Sequence, residues 1–155
     1  MKFSGSILNE CGRTVYRVCL AKTSDEELSR DIVGDVFVLL FEKKPNFADV
    51  TALRVWMIRT ANHLVANYYR KCESAGSISL DEVDCPAPSD PLTFELLEML
   101  KLLPKKHRDV TVLYYIEDMS VKEISRSLGI SQGTVKSRLY HARERLSKLY
   151  KEELL

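Results

Sequence analysis

The sequence predicts an all-α protein: two small helical domains joined by a flexible acidic linker, the second carrying a helix-turn-helix. Three observations lead there. Apolar residues recur at helical spacing along nearly the whole chain, and no convincing strand series appears. Charge falls in three blocks, with a net of +3 over residues 1–71, −7 over residues 72–100, and +5 over residues 101–155. Finally, Ser120 to Leu149 spells two helices with a tight turn between them, the second helix basic. The 155 residues, 45% hydrophobic with a net charge of +1, suffice for one ordinary domain or two small ones.

Ile7 to Ala21 reads as a first amphipathic helix. Thr23-Ser24-Asp25-Glu26 looks like a cap, and Leu28 to Glu42 follows as a second helix, broken by Pro45 and Asn46. Leu53 to Lys71 makes a third, with Trp56, Thr60, His63 or Leu64, and Asn67 along one side. From Cys72 to Pro91 the pattern collapses into acids, serines, Gly76, Pro86 and Pro88, the composition of a flexible linker. Helical spacing resumes over Leu92 to Leu103, and Pro104 starts another helix running through Ile116. The expected boundaries are therefore 1–71, a linker at 72–91, and 92–155.

The helix-turn-helix can be read position by position. Ser120 and Glu123 form a capping box. Val121, Ile124 and Leu128 share one helical face, and Gly129 stops the helix because glycine accepts a left-handed backbone. Ile130 plugs the corner and Ser131 caps the second helix. Val135, Leu139, Ala142, Leu146 and Leu149 then form a buried stripe. At about 100° per residue, Gly133, Ser137, Tyr140, His141 and Glu144 face the other way, flanked by Lys136, Arg138 and Arg143. Cations beside small polar groups suit a helix lying between phosphate walls in the DNA major groove. The plainer alternative is an amphipathic hairpin with a solvated basic face.

Other function classes find little support. Cys11, Cys19, Cys72 and Cys85 are not spaced C-x-x-C, and no histidine sits at zinc-finger spacing, so no metal site is expected. Cys11 and Cys19 read as small apolar groups, while Cys72 and Cys85 bracket the linker and leave a redox pairing open. No nucleophile elbow or phosphate loop points to an enzyme, and no cofactor is expected. The longest apolar run, Val36 to Phe41, is too short to span a bilayer. Without a visible signal peptide, the expectation is a soluble, cytoplasmic protein.

These residues carry a resemblance. Leu103-Pro104-Lys105-Lys106-His107-Arg108-Asp109-Val110, then Ser120 to Ile124, then Gly133-Thr134-Val135-Lys136-Ser137-Arg138-Leu139 are similar to region 4 of bacterial sigma factors, nearest the extracytoplasmic-function group. Asp31-Ile32-Val33-Gly34-Asp35-Val36-Phe37 resembles that family's core-binding helix. Phe47 through Arg54-Val55-Trp56-Met57, and Ala61 to Lys71, resembles its −10 recognition segment. The likeness covers about residues 7–71 and 92–150.

The resemblance implies a promoter-specificity subunit without an active site. It would bind core RNA polymerase, direct it to promoter DNA and help open the duplex. Gln132, Thr134, Lys136, Ser137, Tyr140 and His141 would meet the −35 element, with Arg138 and Arg143 on phosphates. Arg54, Trp56, Asn62, His63, Tyr68, Arg70 and Lys71 would meet the −10 element, where opening DNA needs a pocket for a flipped base and cations for a displaced strand. Asp31, Asp35 and Phe37 would dock on the polymerase. Phe37 and Trp56 also read as ordinary core residues. The acidic linker would thread the polymerase's RNA exit path, and an anti-sigma protein is the expected further partner.

Departures from the family pattern are specific. Gly34 stands where glutamine is usual and Arg30 where an acid is common. Asn62-His63 replaces an Arg-Asn pair, and Asn67 an aspartate. His141 stands where arginine is frequent, which implies a milder phosphate grip near neutral pH. Two other readings stay open: a free-standing helix-turn-helix regulator, which usually needs a dimer surface, and a sigma-like adaptor that binds a protein partner.

Overall fold

The computed structural model describes residues 2–74 and 91–154. Those residues form helices α1 (Gly5–Thr23), α2 (Glu26–Lys43), α3 (Val50–Ser74), α4 (Pro91–Lys101), α5 (Lys105–Thr111), α6 (Val121–Leu128) and α7 (Gln132–Leu154), with a π-helical turn at Val112–Ile116 between α5 and α6. No strand occurs among the described residues. None of the described helices is long and apolar enough to cross a membrane.

Local signals explain the ends. The Ser4 hydroxyl accepts the Ile7 N–H at 3.3 Å to start α1, and the Asp25 carboxylate accepts the Leu28 N–H at 3.0 Å to start α2. Ser24 and Lys44 adopt left-handed backbones that end α1 and α2. Helix α3 starts three residues earlier than apolar spacing indicates, because Asp49 caps it through the Ala52 N–H at 2.8 Å. It also runs three residues past Lys71, so Cys72 to Ser74 are helical rather than linker. Most of the expected linker, with Cys85, lies outside the described residues.

The expected helix from Pro104 through Ile116 is corrected in its second half. Its last turn is π-helical: the Glu117 N–H reaches the Val112 carbonyl at 3.1 Å, and the Leu113 carbonyl takes the Met119 N–H at 2.9 Å. Single π turns often mark functional sites. Here the turn delivers Glu117 into the interior, where it is 7% exposed.

The two halves pack against each other. One apolar core joins Val15, Val18, Val36, Leu53, Met57 and Ile58 of the first half to Val110, Leu113, Met119, Ile124, Val135 and Leu139 of the second. Helix α6 lies on α3, and α1 lies on α5 and the π turn. A second cluster places Ala21 of α1 against Leu100, Leu103, Val112 and Ala142. Burying each Leu or Ile of this kind contributes about 1.5–3 kcal/mol. Cys11 and Cys19 are buried as expected, and burial pushes the Cys19 thiol up to about 12 and raises that of Cys11. Both are therefore thiols rather than reactive thiolates near neutral pH.

Candidate nucleic-acid interface

The helix-turn-helix forms as its sequence dictates. The Ser120 hydroxyl accepts the Glu123 N–H at 3.1 Å. The reciprocal arm differs from a standard capping box: the Glu123 carboxylate accepts from the Ser120 hydroxyl at 3.2 Å. Gly129 takes φ +69°, and its N–H donates to the Ser125 carbonyl. The Ser125 hydroxyl ties the turn by donating to the Ile130 carbonyl. Ser131 caps α7 through the Thr134 N–H at 3.1 Å.

Val135, Leu139 and Ala142 are buried, while Gln132, Gly133, Lys136, Ser137, Tyr140, His141, Arg143 and Glu144 are exposed. Thr134 and Arg138 are half-buried. All eight residues expected at the −35 element thus lie on α7, six of them on its open surface. Lys136, Arg138 and Arg143 have no carboxylate partner among the described residues, and Arg143 donates to the Tyr115 hydroxyl at 3.2 Å. Unneutralised cations on both flanks of the exposed face of a helix provide a surface for a polyanion.

Sequence reasoning missed a contribution from α5. Lys106 and His107 join Ser131, Gly133, Thr134, Ser137, Arg138 and His141 around a cleft of about 510 Å3. The His107 ring stacks on His141, with centroids 6.1 Å apart and planes 15° off parallel. His107 is 7% exposed, and its Nδ1 has no hydrogen-bond partner among the described residues. Burial lowers its pKa, as do the neighbouring charges of Lys106, His141 and Arg138, against a smaller opposing effect from Asp109. The Lys-Lys-His run was visible in the sequence, but its meeting with α7 depends on the angle between two helices.

The residues expected at the −10 element share α3 but not one environment. His63, Arg70 and Lys71 are exposed, and Trp56, Asn62 and Tyr68 half-buried. Trp56 packs edge-on against Phe47 at 5.9 Å. It lines an open cleft of about 560 Å3 with Arg59, Thr60, His63 and Leu64. It therefore serves the core on one side and a cleft on the other. The Tyr68 hydroxyl is pushed up in pKa, first by a hydrogen bond with the Cys72 thiol and then by burial.

Arg54 stands apart. It lies at the junction of the halves, where its guanidinium donates to the Glu117 carbonyl at 3.0 Å and sits 3.6 Å from the Glu117 carboxylate. Arg17 donates to the same carboxylate, as does the Thr14 hydroxyl at 2.8 Å. Lys22 and Asp109 form a second pair across the junction at 2.7 Å. Buried carboxylates need such partners, because an unpaired buried charge is costly.

The residues expected to dock on polymerase lie on α2. Asp31, Gly34, Asp35 and Val38 form one exposed face. Phe37 is half-buried: its ring crosses Gly12 so closely that a Cβ there would meet it at 3.0 Å, and it stacks on the exposed Phe41 at 6.1 Å. Packing and display are thus combined in Phe37. Among the described residues no group of His, Cys, Asp or Glu is arranged to hold a metal ion.

Comparison with known proteins places this geometry. Residues 93–146 match the family described as sigma-70, region 4. Over 144 residues, 88% of each chain, the sequence is 28% identical to the ECF RNA polymerase sigma factor SigM of Bacillus subtilis. It is also 28% identical to SigW of the same organism, over 86% of this chain and 81% of that one. Two solved structures share the fold. The sigma factor RpoE from Bartonella quintana, in complex with the anti-sigma factor NepR, has a TM-score of 0.72 at 22% identity and covers 93% of this chain and 94% of that one. CnrH, in complex with the cytosolic domain of CnrY, has a TM-score of 0.67 at 24% identity, covering 96% and 87%.

Proposed function

We infer that this chain, a sigma factor of the sigma-70 family and of its extracytoplasmic-function group, binds core RNA polymerase and directs it to promoters for transcription initiation. The observation that carries the reading is coverage. The likeness to SigM spans both halves of the chain, not the helix-turn-helix alone. A free operator-binding regulator would need only the second half. The partners follow as core polymerase, promoter DNA and an anti-sigma protein, since both structural relatives were solved with a protein bound and NepR is named an anti-sigma factor.

The residues divide that work as follows. Helix α7 is the −35 reader. Lys136, Ser137, Tyr140 and His141 face the groove, Gln132 and Thr134 approach from its N-terminal turn, and Arg138 and Arg143 take phosphates. The exposed run His63, Arg70 and Lys71, with Trp56, Asn62 and Tyr68 beside it, supplies the −10 surface. The cleft at Trp56 offers room for an unstacked base. Asp31, Asp35 and the Phe37–Phe41 pair form the polymerase-docking face, an apolar anchor with carboxylates around it. Residues 75–90, between α3 and α4, connect the two readers in sequence.

Run-off transcription with purified core polymerase, on promoter fragments from the source genome, tests this reading. A defined start site that depends on the protein is the expected result. Failure to bind core, with tight sequence-specific DNA binding by the free protein, would replace it with the operator-binding regulator.

A further inference from the structure

The cavity at the junction contains more positive charge than the proposed division of work uses. It measures about 280 Å3 and is lined by Arg13, Arg17 and Thr14 of α1, Arg54 of α3, and the acids Glu10 and Glu117. Arg17 and Arg54 hold the Glu117 carboxylate from two helices, with the Thr14 hydroxyl on its second oxygen. Arg13, one helical turn before Arg17, is exposed at the same cavity. Guanidinium groups plus a hydroxyl around one carboxylate reproduce the donor set that binds a phosphodiester, since both anions offer two acceptor oxygens to forked donors.

We propose that Arg13, Arg17, Arg54 and the Thr14 hydroxyl form a binding site for a promoter DNA phosphate, and that the Glu117 carboxylate fills this site while the two halves are packed together. The proposal rests on the promoter-binding reading above. Three arginines against Glu10 and Glu117 leave the filled cavity with one surplus positive charge, and departure of Glu117 raises the surplus to two. Glu117 follows the π turn directly and precedes α6, which itself packs on α3. Separation of the halves therefore withdraws the carboxylate and uncovers the arginines in one movement. DNA phosphate and the second half compete for the same groups. The −35 face of α7 stays open throughout, whereas Arg54 becomes available only on release.

The test uses the whole 155-residue chain without polymerase. The probe is a fluorescent single-stranded DNA of about 20 nucleotides, titrated across a salt series. Small-angle scattering follows the separation of the halves. Glu117→Gln is expected to expand the molecule and to raise DNA affinity about 5–10-fold, with a log K against log salt slope steeper by about one. Arg17→Gln is expected to expand the molecule with no gain in affinity, and Arg17→Gln/Glu117→Gln to bind no better than Arg17→Gln. Wild-type affinity in Glu117→Gln overturns the proposal, as does a gain that survives Arg17→Gln. If circular dichroism shows that Glu117→Gln has lost its helices, the wild-type chain decides: saturating DNA expands it if the phosphate displaces Glu117, and an unchanged radius overturns the idea. Run-off transcription by the wild-type protein reads the promoter function separately, so failure of one leaves a distinct result from failure of the other.

Discussion

Helix α7 and the junction at Glu117 both gather cations, and they treat them oppositely. On α7, Lys136 and Arg143 stand in solvent with no carboxylate partner among the described residues. At the junction, Arg17 and Arg54 are half-buried and spend their donors on Glu117. The first arrangement is local, set by residues three and four apart on one helix. The second joins residues 63 and 100 positions apart. A cation already neutralised within the fold loses that partner when it binds DNA, while an open one releases only counterions. So, under the proposed division of work, the cations of α7 are open in the packed form, and Arg54 must first exchange partners.

The strongest way to break this comparison is to strike the core that holds the junction closed. Leu113 sits fully buried in the π turn, within the cluster shared by both halves. Leu113→Ala is expected to cost about 2–5 kcal/mol. The single tryptophan, Trp56, reports on the other half. Urea unfolding followed by Trp56 fluorescence should therefore shift with Leu113→Ala. An unchanged Trp56 midpoint would mean that the halves fold independently and that the shared core contributes nothing to the first.

Next comes the open face of α7. Lys136→Ala and Tyr140→Ala are each expected to lower promoter use by about 10–100-fold, a loss of about 1–3 kcal/mol of DNA contact. Stability should move by less than about 0.5 kcal/mol, because neither side chain is buried. Run-off transcription, core-polymerase affinity and thermal melting separate the effects. Equal loss of polymerase affinity would refute the assignment of α7 to DNA.

This contrast also shows what was legible in the sequence. Ser120, Gly129, Ser131 and the stripe Val135, Leu139 and Ala142 act through neighbours within a turn, so their spacing announces them. The helices followed from the same logic, with Asp49 the overlooked start signal for α3. Glu117 was not legible. It reads as an ordinary acid after an apolar run, and its burial depends on a π turn and on arginines from two other helices. Likewise, Arg54 was assigned to DNA by family likeness, and nothing near it in sequence indicates that the packed fold occupies it. His107 meeting His141 belongs to the same class, since it needs the α5–α7 crossing.

Two glycines give a smaller and opposite pair of effects. Gly129→Ala places a Cβ on a backbone at φ +69° and should cost about 1 kcal/mol, read as a lower melting temperature. Gly34→Ala meets nothing within 4 Å on an exposed, regular part of α2, and should add about 1 kcal/mol of stability. If Gly34 is there to let polymerase approach closely, the more stable variant will bind core more weakly. Unchanged or tighter binding would show that the docking face does not need a glycine.

The smallest expected effect is a pH dependence that sharpens the comparison from the DNA side. Burial and the surrounding cations lower the His107 pKa, so the folded state takes up its proton less readily than the unfolded chain. The unfolded state therefore binds more protons as pH falls below the ordinary histidine value near 6.5. Stability linked to His107 is present above that value and declines as pH drops through the window beneath it. Urea unfolding at about pH 7.5 and at about pH 5.5 should show a loss that His107→Phe reduces. A bound phosphate beside His107 would reverse the sign, because an anion favours the charged imidazole. DNA binding should then take up a proton, measurable by calorimetry in buffers of different ionisation enthalpy. If α7 binds DNA with no proton uptake between pH 6 and 7, a range set by the histidine value, the cleft between α5 and α7 does not hold a phosphate and the −35 contact is confined to the exposed face of α7.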